Sequence, residues 1–385
     1  MTERFDAACF RCDNYEEKTV ENALRSAIDA VGGFDWLRPG MSVALKANLV
    51  VAKPPEAAAT THPAVLASLT RLLRERGAGK ITVGDSPSGL YTKAALRHIY
   101  KAAGLDKVCE AGAELNYNVG IREVSFQGAK TAKEFTCTSW LEEADAVIDV
   151  CKLKSHGMMG MTAAVKNMFG TIPGMMKPEY HFRYKNEMDF ADMILDLNEY
   201  FHPVLAIADA VVGMEGNGPT MGTPRKIGVL VAGRTTYAAD IACARLLDID
   251  PDTVPTMRAA KLRSLGDIGS DGILITGDAA DVVIDDFNRI GSHAGIHFEG
   301  RGGVIGRMAG GLFGKVLETK PLPDRSECVS CGKCAAICPA GAIEMINKYP
   351  QINRRKCIRC FCCQEFCPAG AMKVHRSAAA RLILH

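Results

Sequence analysis

The 385 residues carry 46 Lys and Arg against 44 Asp and Glu, a net charge of +2, and 48% of them are hydrophobic. That balance leaves no electrostatic footprint for nucleic acid or an anionic membrane, while it supports a sizeable core in two or three domains. No apolar run reaches spanning length, and the opening MTERFDAACF lacks a secretory h-region. Fifteen cysteines point to a reducing, low-oxygen interior. We therefore expect a cytoplasmic protein of an anaerobe or facultative anaerobe.

Residues 1–290 alternate apolar strand-like runs with amphipathic helical stretches, the pattern of an α/β fold with a mainly parallel sheet layered by helices. Residues 41–47 read as a buried strand that delivers Lys46 and Asn48 to the following loop. A helix starts at Thr61-His62-Pro63, and Val65, Leu66, Leu69, Leu72 and Leu73 share one face of it. Residues 80–84 form the next strand, and the loop Asp85-Ser86-Pro87-Ser88-Gly89 precedes a helix over 93–103. Residues 144–150 are a strand running into Lys152, Lys154, Ser155 and His156; 161–169 are a short helix and 170–178 a loop. A helix over 188–200 leads to a strand over 204–208 that ends at Asp209. Residues 227–232 are a strand and 237–247 a helix bearing Asp240, with 272–276 and 281–284 as short strand candidates. The Gly- and Pro-rich stretch 291–323 reads as a linker into a small unit over 324–376.

That unit carries two complete runs of Cys-x2-Cys-x2-Cys-x3-Cys-Pro. They are Cys328, Cys331, Cys334, Cys338 with Pro339, and Cys357, Cys360, Cys363, Cys367 with Pro368. A 4Fe-4S cube needs four converging thiolates, so eight suffice for two cubes. The alternatives are disulfides or zinc, and zinc favours paired Cys-x2-Cys units over triplets followed by Cys-Pro. Residues 327–375 thus resemble a bacterial-type two-cluster ferredoxin, a small α+β domain. In that pattern the fourth Cys of each run ligates the other cluster. The resemblance implies Cys328, Cys331, Cys334 and Cys367 for one cube, and Cys357, Cys360, Cys363 and Cys338 for the other. Cys9 and Cys12 form a Cys-x2-Cys pair without a partner pair and read as ordinary residues; Cys362 reads as a bystander thiol.

Polar residues gather where strands end, the edge at which open α/β sheets bind ligands. The densest stretch runs from Lys152 to Gly170, with Thr162 as a candidate cap of the short helix carrying Lys166 and Asn167. We expect Asn48, Lys152, Lys154, Lys166 and Asn167 to bind an anionic small molecule. His156 or Lys46 would donate a proton, oriented by Asp85 or Asp209. The bland alternative is a solvated helix start with Met158, Met159, Met161 and Met168 as core. A further metal would draw on His62, His156, His181, Asp85 and Asp209. A flavin would have to bind without a motif, because the glycines of 213–218 match neither the P-loop nor the dinucleotide fingerprint.

At Lys46-x-Asn48, Gly84-Asp85-Ser86, Lys152-x-Lys154-x-His156, Ala164-Val-Lys-Asn-Met-Phe-Gly170, the 209–219 stretch and Asp240, the chain resembles the family called domain of unknown function 362. That family is often fused to a two-cluster ferredoxin unit. The resemblance covers about residues 5–290 and 325–375; it implies the fold and the iron–sulfur cofactors and identifies no reaction. Three functions are compatible: a reductase fed by a redox partner protein, an electron-transfer or docking protein without catalysis of its own, and a metal or cofactor maturation factor.

Overall fold

The computed structural model describes residues 5–267, 273–289 and 319–375. In chain order the large unit contains β1 (Ala7–Arg11), β2 (Val43–Ala47), β3 (Ile81–Gly84), β4 (Glu114–Leu115), β5 (Ile121–Ser125), β6 (Glu134–Thr138) and β7 (Ala146–His156). It continues with β8 (Gly160–Thr162), β9 (Leu205–Glu215), β10 (Thr223–Gly233) and β11 (Ile275–Thr276). Nine of these form one sheet in the order β11-β1-β10-β9-β7-β2-β3-β4, with β8 paired to β7; β5 and β6 make a separate hairpin. Neighbours from β9 through β7, β2 and β3 to β4 are parallel, while β10 runs against both β9 and β1. Parallel strands need crossovers that cover the sheet faces. The helix Pro63–Glu75 supplies one between β2 and β3, started by Pro63 and by His62, whose Nδ1 accepts the Ala64 N–H. Val65, Leu66, Leu69, Leu72 and Leu73 are all buried in one core with β2, β3 and the helix Glu17–Ala30.

The sheet departs from the sequence reading where lateral partners extend a strand. β7 does not stop before the lysines. It runs on through Lys152, Lys154 and His156, because β9 and then β8 hydrogen-bond to it. A strand's two-residue period places those three side chains on one face. β9 likewise passes Asp209 and reaches Glu215, since the eleven-residue β10 pairs along it. Residues 160–162 are strand rather than helix start, so Thr162 caps nothing. Asp240 supplies the cap instead: its Oδ1 accepts the N–H groups of Ala164 (2.6 Å) and Val165 (3.2 Å) at the start of the turn Ala164–Asn167. Residues 170–178 are mostly helical turns leading into the helix Lys177–Arg183 rather than loop. Residues 281–284 are not a strand: Val282 N–H closes a turn on Ala279 O and Ile284 N–H reaches Leu246 O, leaving no ladder.

The cysteine-rich unit has β12 (Lys320–Pro323), β13 (Ile343–Ile346), β14 (Tyr349–Ile352) and β15 (Met372–His375), with short helices Lys333–Ala336 and Cys362–Glu365. β12 pairs with β15 and β13 with β14, both antiparallel. Most of the expected linker lies outside the described residues, and its last four residues are β12. The unit packs directly on the large one. Phe361 is buried in a cluster with Met158, Met159 and Phe169, and Gln364 Nε2 donates to Gly218 O (2.7 Å) and Asn217 O (2.9 Å). Gly157 permits this approach, because a Cβ there would stand 3.0 Å from Val374 Cγ2 and 3.4 Å from the Phe361 ring. Among the described residues no helix is long and apolar enough to cross a membrane.

Burial raises the Asp240 carboxyl to about 7, partly offset by the two N–H groups it accepts. Between pH 3.8 and about 7 the native state therefore holds a proton that the unfolded state releases, and stability falls as pH rises through that window. Asp240→Asn is expected to flatten this slope in thermal melts, and Asp240→Ala to cost about 1–3 kcal/mol at neutral pH through the lost cap.

A lysine-lined cleft beside the cysteine-rich unit

Three lysines enter the interior from strands. Lys46, on β2, is fully buried and pairs with Asp85 at 2.8 Å; its Nζ also donates to Ala47 O and Asn167 Oδ1. Asp85 sits just past the end of β3, where its second oxygen accepts the Leu49 N–H at 2.7 Å. Asn167 joins this group to the strands through Lys46 O and Asp149. Burial pushes the Asp149 carboxyl well above the ordinary carboxylate range.

Lys152 lies opposite Asp209 in the β7–β9 register and pairs with it at 2.8 Å, both side chains fully buried. Asp209 also accepts from the Tyr15 hydroxyl and the His62 N–H, and the Tyr15 and His62 rings stack at 3.5 Å. This pair is neutralised and closed. The structure separates Lys152 and Asp209 from the rest of the expected rim.

Among the described residues Lys154 has no carboxylate at ion-pair distance. Its Nζ donates to Asn48 Oδ1 (2.7 Å) and Ala59 O (2.8 Å), and burial, reinforced by Lys166, lowers it to about 7. Lys177, which the sequence reading missed, behaves in the same way. It donates to Ser86 O and Ile172 O, and burial lowers it to about 7. Lys166 has no hydrogen-bond acceptor among the described residues; its Nζ stands 5.6 Å from the Phe169 ring centre, and burial lowers its pKa.

Lys154, Lys166 and Lys177 line one cleft of about 50 Å³, with Asn48, Asp85, Ser86, Thr162, Asn167 and Glu365. Asp85 is offset by Lys46, so the cleft sets three amines against the single carboxylate Glu365. Its volume is far below the ~300 Å³ of cofactor-sized pockets and suits an anion of a few atoms rather than a flavin. A hollow of about 420 Å³ near Trp36, His202 and Arg234 contains none of the expected site residues.

His156 does not line the cleft. Its Nδ1 accepts the N–H groups of Met158 and Met159, which assigns the ring proton to Nε2, 3.1 Å from Glu365 Oε1. Burial lowers His156 to about 4 and His181 to about 3, so both rings are neutral at pH 7. Burial works to raise Glu365, but the nearby His156 ring and the Lys166 charge outweigh it and keep the carboxyl ionised. Glu365 was not foreseen either. It stands between the ligand positions Cys363 and Cys367, where Gln364-Glu365 replaces the Ala335-Ala336 of the first run. Aligning the two runs on each other would have exposed it.

Cys334, Cys338, Cys363 and Cys367 pack in one small cluster with Ile343 and Met372. Burial and then the neighbouring Cys367 and Cys331 push the Cys334 thiol up; burial and then Cys360 and Cys338 do so for Cys357. In each case the neighbours come from both cysteine runs. Among the described residues no three His, Cys, Asp or Glu groups are placed to hold one metal ion. Thiolates that each bind a different iron of a cube need not converge on a single point, so the donor set fits iron–sulfur ligation.

Fold and cleft together define a mixed α/β-sheet protein with a docked ferredoxin-like unit. The chain belongs to the family described as Domain of unknown function (DUF362), which it matches over residues 43–245, and residues 320–368 match the 4Fe-4S dicluster domain. It is 31% identical over 285 residues to the thylakoid-associated protein sll1697 of Synechocystis sp., covering 72% of this chain and 85% of that protein. Two solved structures align with a TM-score of 0.40: a Thermotoga maritima protein at 14% identity over 61% of this chain, and the lactate racemase apoprotein of Thermoanaerobacterium thermosaccharolyticum at 13% over 65%. The chain spans 59% of each of those two.

Gly170 leaves room for the ion pair at the back of the cleft, since a Cβ there would fall 2.3 Å from Asp85 Oδ1 and 2.6 Å from Lys46 Nζ. Gly170→Ala is expected to displace the Lys46–Asp85 pair and lower stability by about 1–3 kcal/mol in denaturant melts.

Proposed function

We propose that this is an iron–sulfur redox protein that reduces a small anion held in the cleft of Lys154, Lys166 and Lys177. A second protein is its electron source. The observation that carries the reading is the reach of Glu365. It lies two residues from a cysteine of each thiol set, and it contacts His156 while lining the lysine cleft. Two 4Fe-4S clusters would be held by the crossed cysteine sets and would supply one-electron transfer when bound. The same reading divides the chain near residues 290 and 324 and places it in the cytoplasm.

The chain's own groups have separable parts. Lys154 and Lys177, held only by neutral acceptors, gain a charged partner when an anion enters, and this raises their pKa. Each is then a proton source at the anion, a part better suited to them than to His156, whose ring is neutral at pH 7 and does not line the cleft. Asn48 and Asn167 orient Lys154 and Lys46. Asp85 anchors Lys46 beside the cleft, and the Lys152–Asp209 pair holds β7 against β9.

Calorimetry with inorganic phosphate and with oxalate tests this. The ammonium forms favour the anion, so affinity is greatest below about pH 7 and falls as pH rises above it, by up to about tenfold per unit for each lysine that deprotonates. Binding in that range takes up protons, seen as a heat that depends on the buffer. Lys166→Ala and Lys177→Ala are each expected to weaken binding by about tenfold or more, with cluster absorbance unchanged. Affinity indifferent to both substitutions would remove the cleft from the proposal and favour a carrier or docking protein. Anaerobic purification is expected to give about eight irons and eight sulfides per chain; a ratio near four would overturn the assignment of two clusters.

A further inference from the structure

The two cysteine runs are alike in spacing and unlike in everything between the ligands. In the second, Phe361, Cys362, Gln364 and Glu365 occupy the positions of Gly332, Lys333, Ala335 and Ala336 in the first. Phe361, Cys362 and Gln364 are buried, and Glu365 lines the cleft. The first loop is turned the other way: Val329 is 64% exposed, and Cys331 and Lys333 are exposed as well. Within residues 319–375 there are nine Lys and Arg against four Asp and Glu, although the whole chain is close to neutral. Eight of those nine cations are exposed, against two of the four acids. Arg325 and Lys333 flank and enter the first loop, and Lys348 tips the β13–β14 hairpin beside the exposed Ile346.

We propose that the first cysteine loop is a docking face for an acidic electron-carrier protein. The carrier's carboxylates meet Arg325, Lys333 and Lys348 around the apolar tip of Val329. This deepens the reading above and rests on it, because it gives the electron inlet a position and a partner chemistry. Each encounter would pass one electron inward, oxidising the carrier by one; Cys328, Cys331, Cys334 and Cys367 are the thiolates that would hold the accepting iron–sulfur group, which would be reduced by one. Small, charge-rimmed apolar patches suit transient redox encounters, in which electrostatics sets the encounter rate and the choice of partner. Residues 1–290 carry 32 Lys and Arg against 38 Asp and Glu, which confines that attraction to the end bearing the cysteines.

An oxidised, acidic two-iron ferredoxin serves as the probe with the cluster-loaded protein. Titration calorimetry is expected to give a complex that weakens steeply with added salt, and by about tenfold or more in the double variant Arg325→Glu/Lys333→Glu. Carbodiimide cross-linking followed by mass spectrometry is expected to join the probe's carboxylates to Lys333 or Lys348. Absorbance of the clusters in the variant checks that the loop still folds. The proposal is overturned if no complex forms, if the double variant binds equally well, or if the cross-links map to lysines of the large unit. It is overturned too if vesicles of anionic lipid, and not the ferredoxin, lose binding in the variant, which would make the face a membrane-surface contact. Phosphate binding in the cleft is read separately, so failure here leaves that reading standing and failure there leaves this one testable.

Discussion

Buried ammonium groups organise the functional edge of this protein. Lys46, Lys152 and Lys154 rise from neighbouring parallel strands into a region with almost no solvent contact. A charge there costs several kcal/mol unless partners surround it. The chain meets this requirement in two ways. Lys46 and Lys152 receive the carboxylates of Asp85 and Asp209, and their corners become closed and neutral. Lys154 receives an amide and a backbone carbonyl, as Lys177 receives two carbonyls from the opposite side. Those acceptors satisfy hydrogen bonds without cancelling charge. The cleft lies where that second arrangement prevails.

The docked unit completes the same edge from outside. Phe361 has a positive φ of 60°, the conformation that Gly332 adopts at the matching place in the first run. A left-handed residue with a bulky side chain costs about 1–2 kcal/mol. Burying that ring in the core of the large unit returns roughly 1.5–3 kcal/mol. The strain is therefore tied to the docking, and with it Glu365 is carried to His156. Family membership agrees with this arrangement without naming a reaction, so the chemistry has to be argued from the cleft.

Much of the fold was legible. The helix over Pro63–Glu75 followed from a cap, a first-turn proline and an apolar stripe, signals that depend only on neighbours in sequence. The strand ends were not legible in the same way. Asp209 and His156 lie inside strands because β10 and β8 happen to lie alongside, and lateral pairing leaves no local mark. Thr162 looked like a cap and is not one, since the cap comes from Asp240, some eighty residues onward in the chain. Of the expected anion-binding group, Asn48, Lys154, Lys166 and Asn167 meet in the cleft, while Lys152 is drawn away by Asp209.

By itself the sequence determined what can be read from spacing and period: two cysteine runs of iron–sulfur type, a mainly parallel α/β sheet, and alternate lysines, Lys152 and Lys154, just after a strand. Tertiary structure alone decided which of those lysines keep a net charge. Pairing with a carboxylate depends on strand register and on loops that arrive from elsewhere, and a sequence does not state those distances. It also decided that Lys177 and Glu365 belong to the site and that His156 stands behind it. Nothing in a lone lysine after a glycine turn, or in a glutamate between two cysteines, specifies what the folded chain will place opposite.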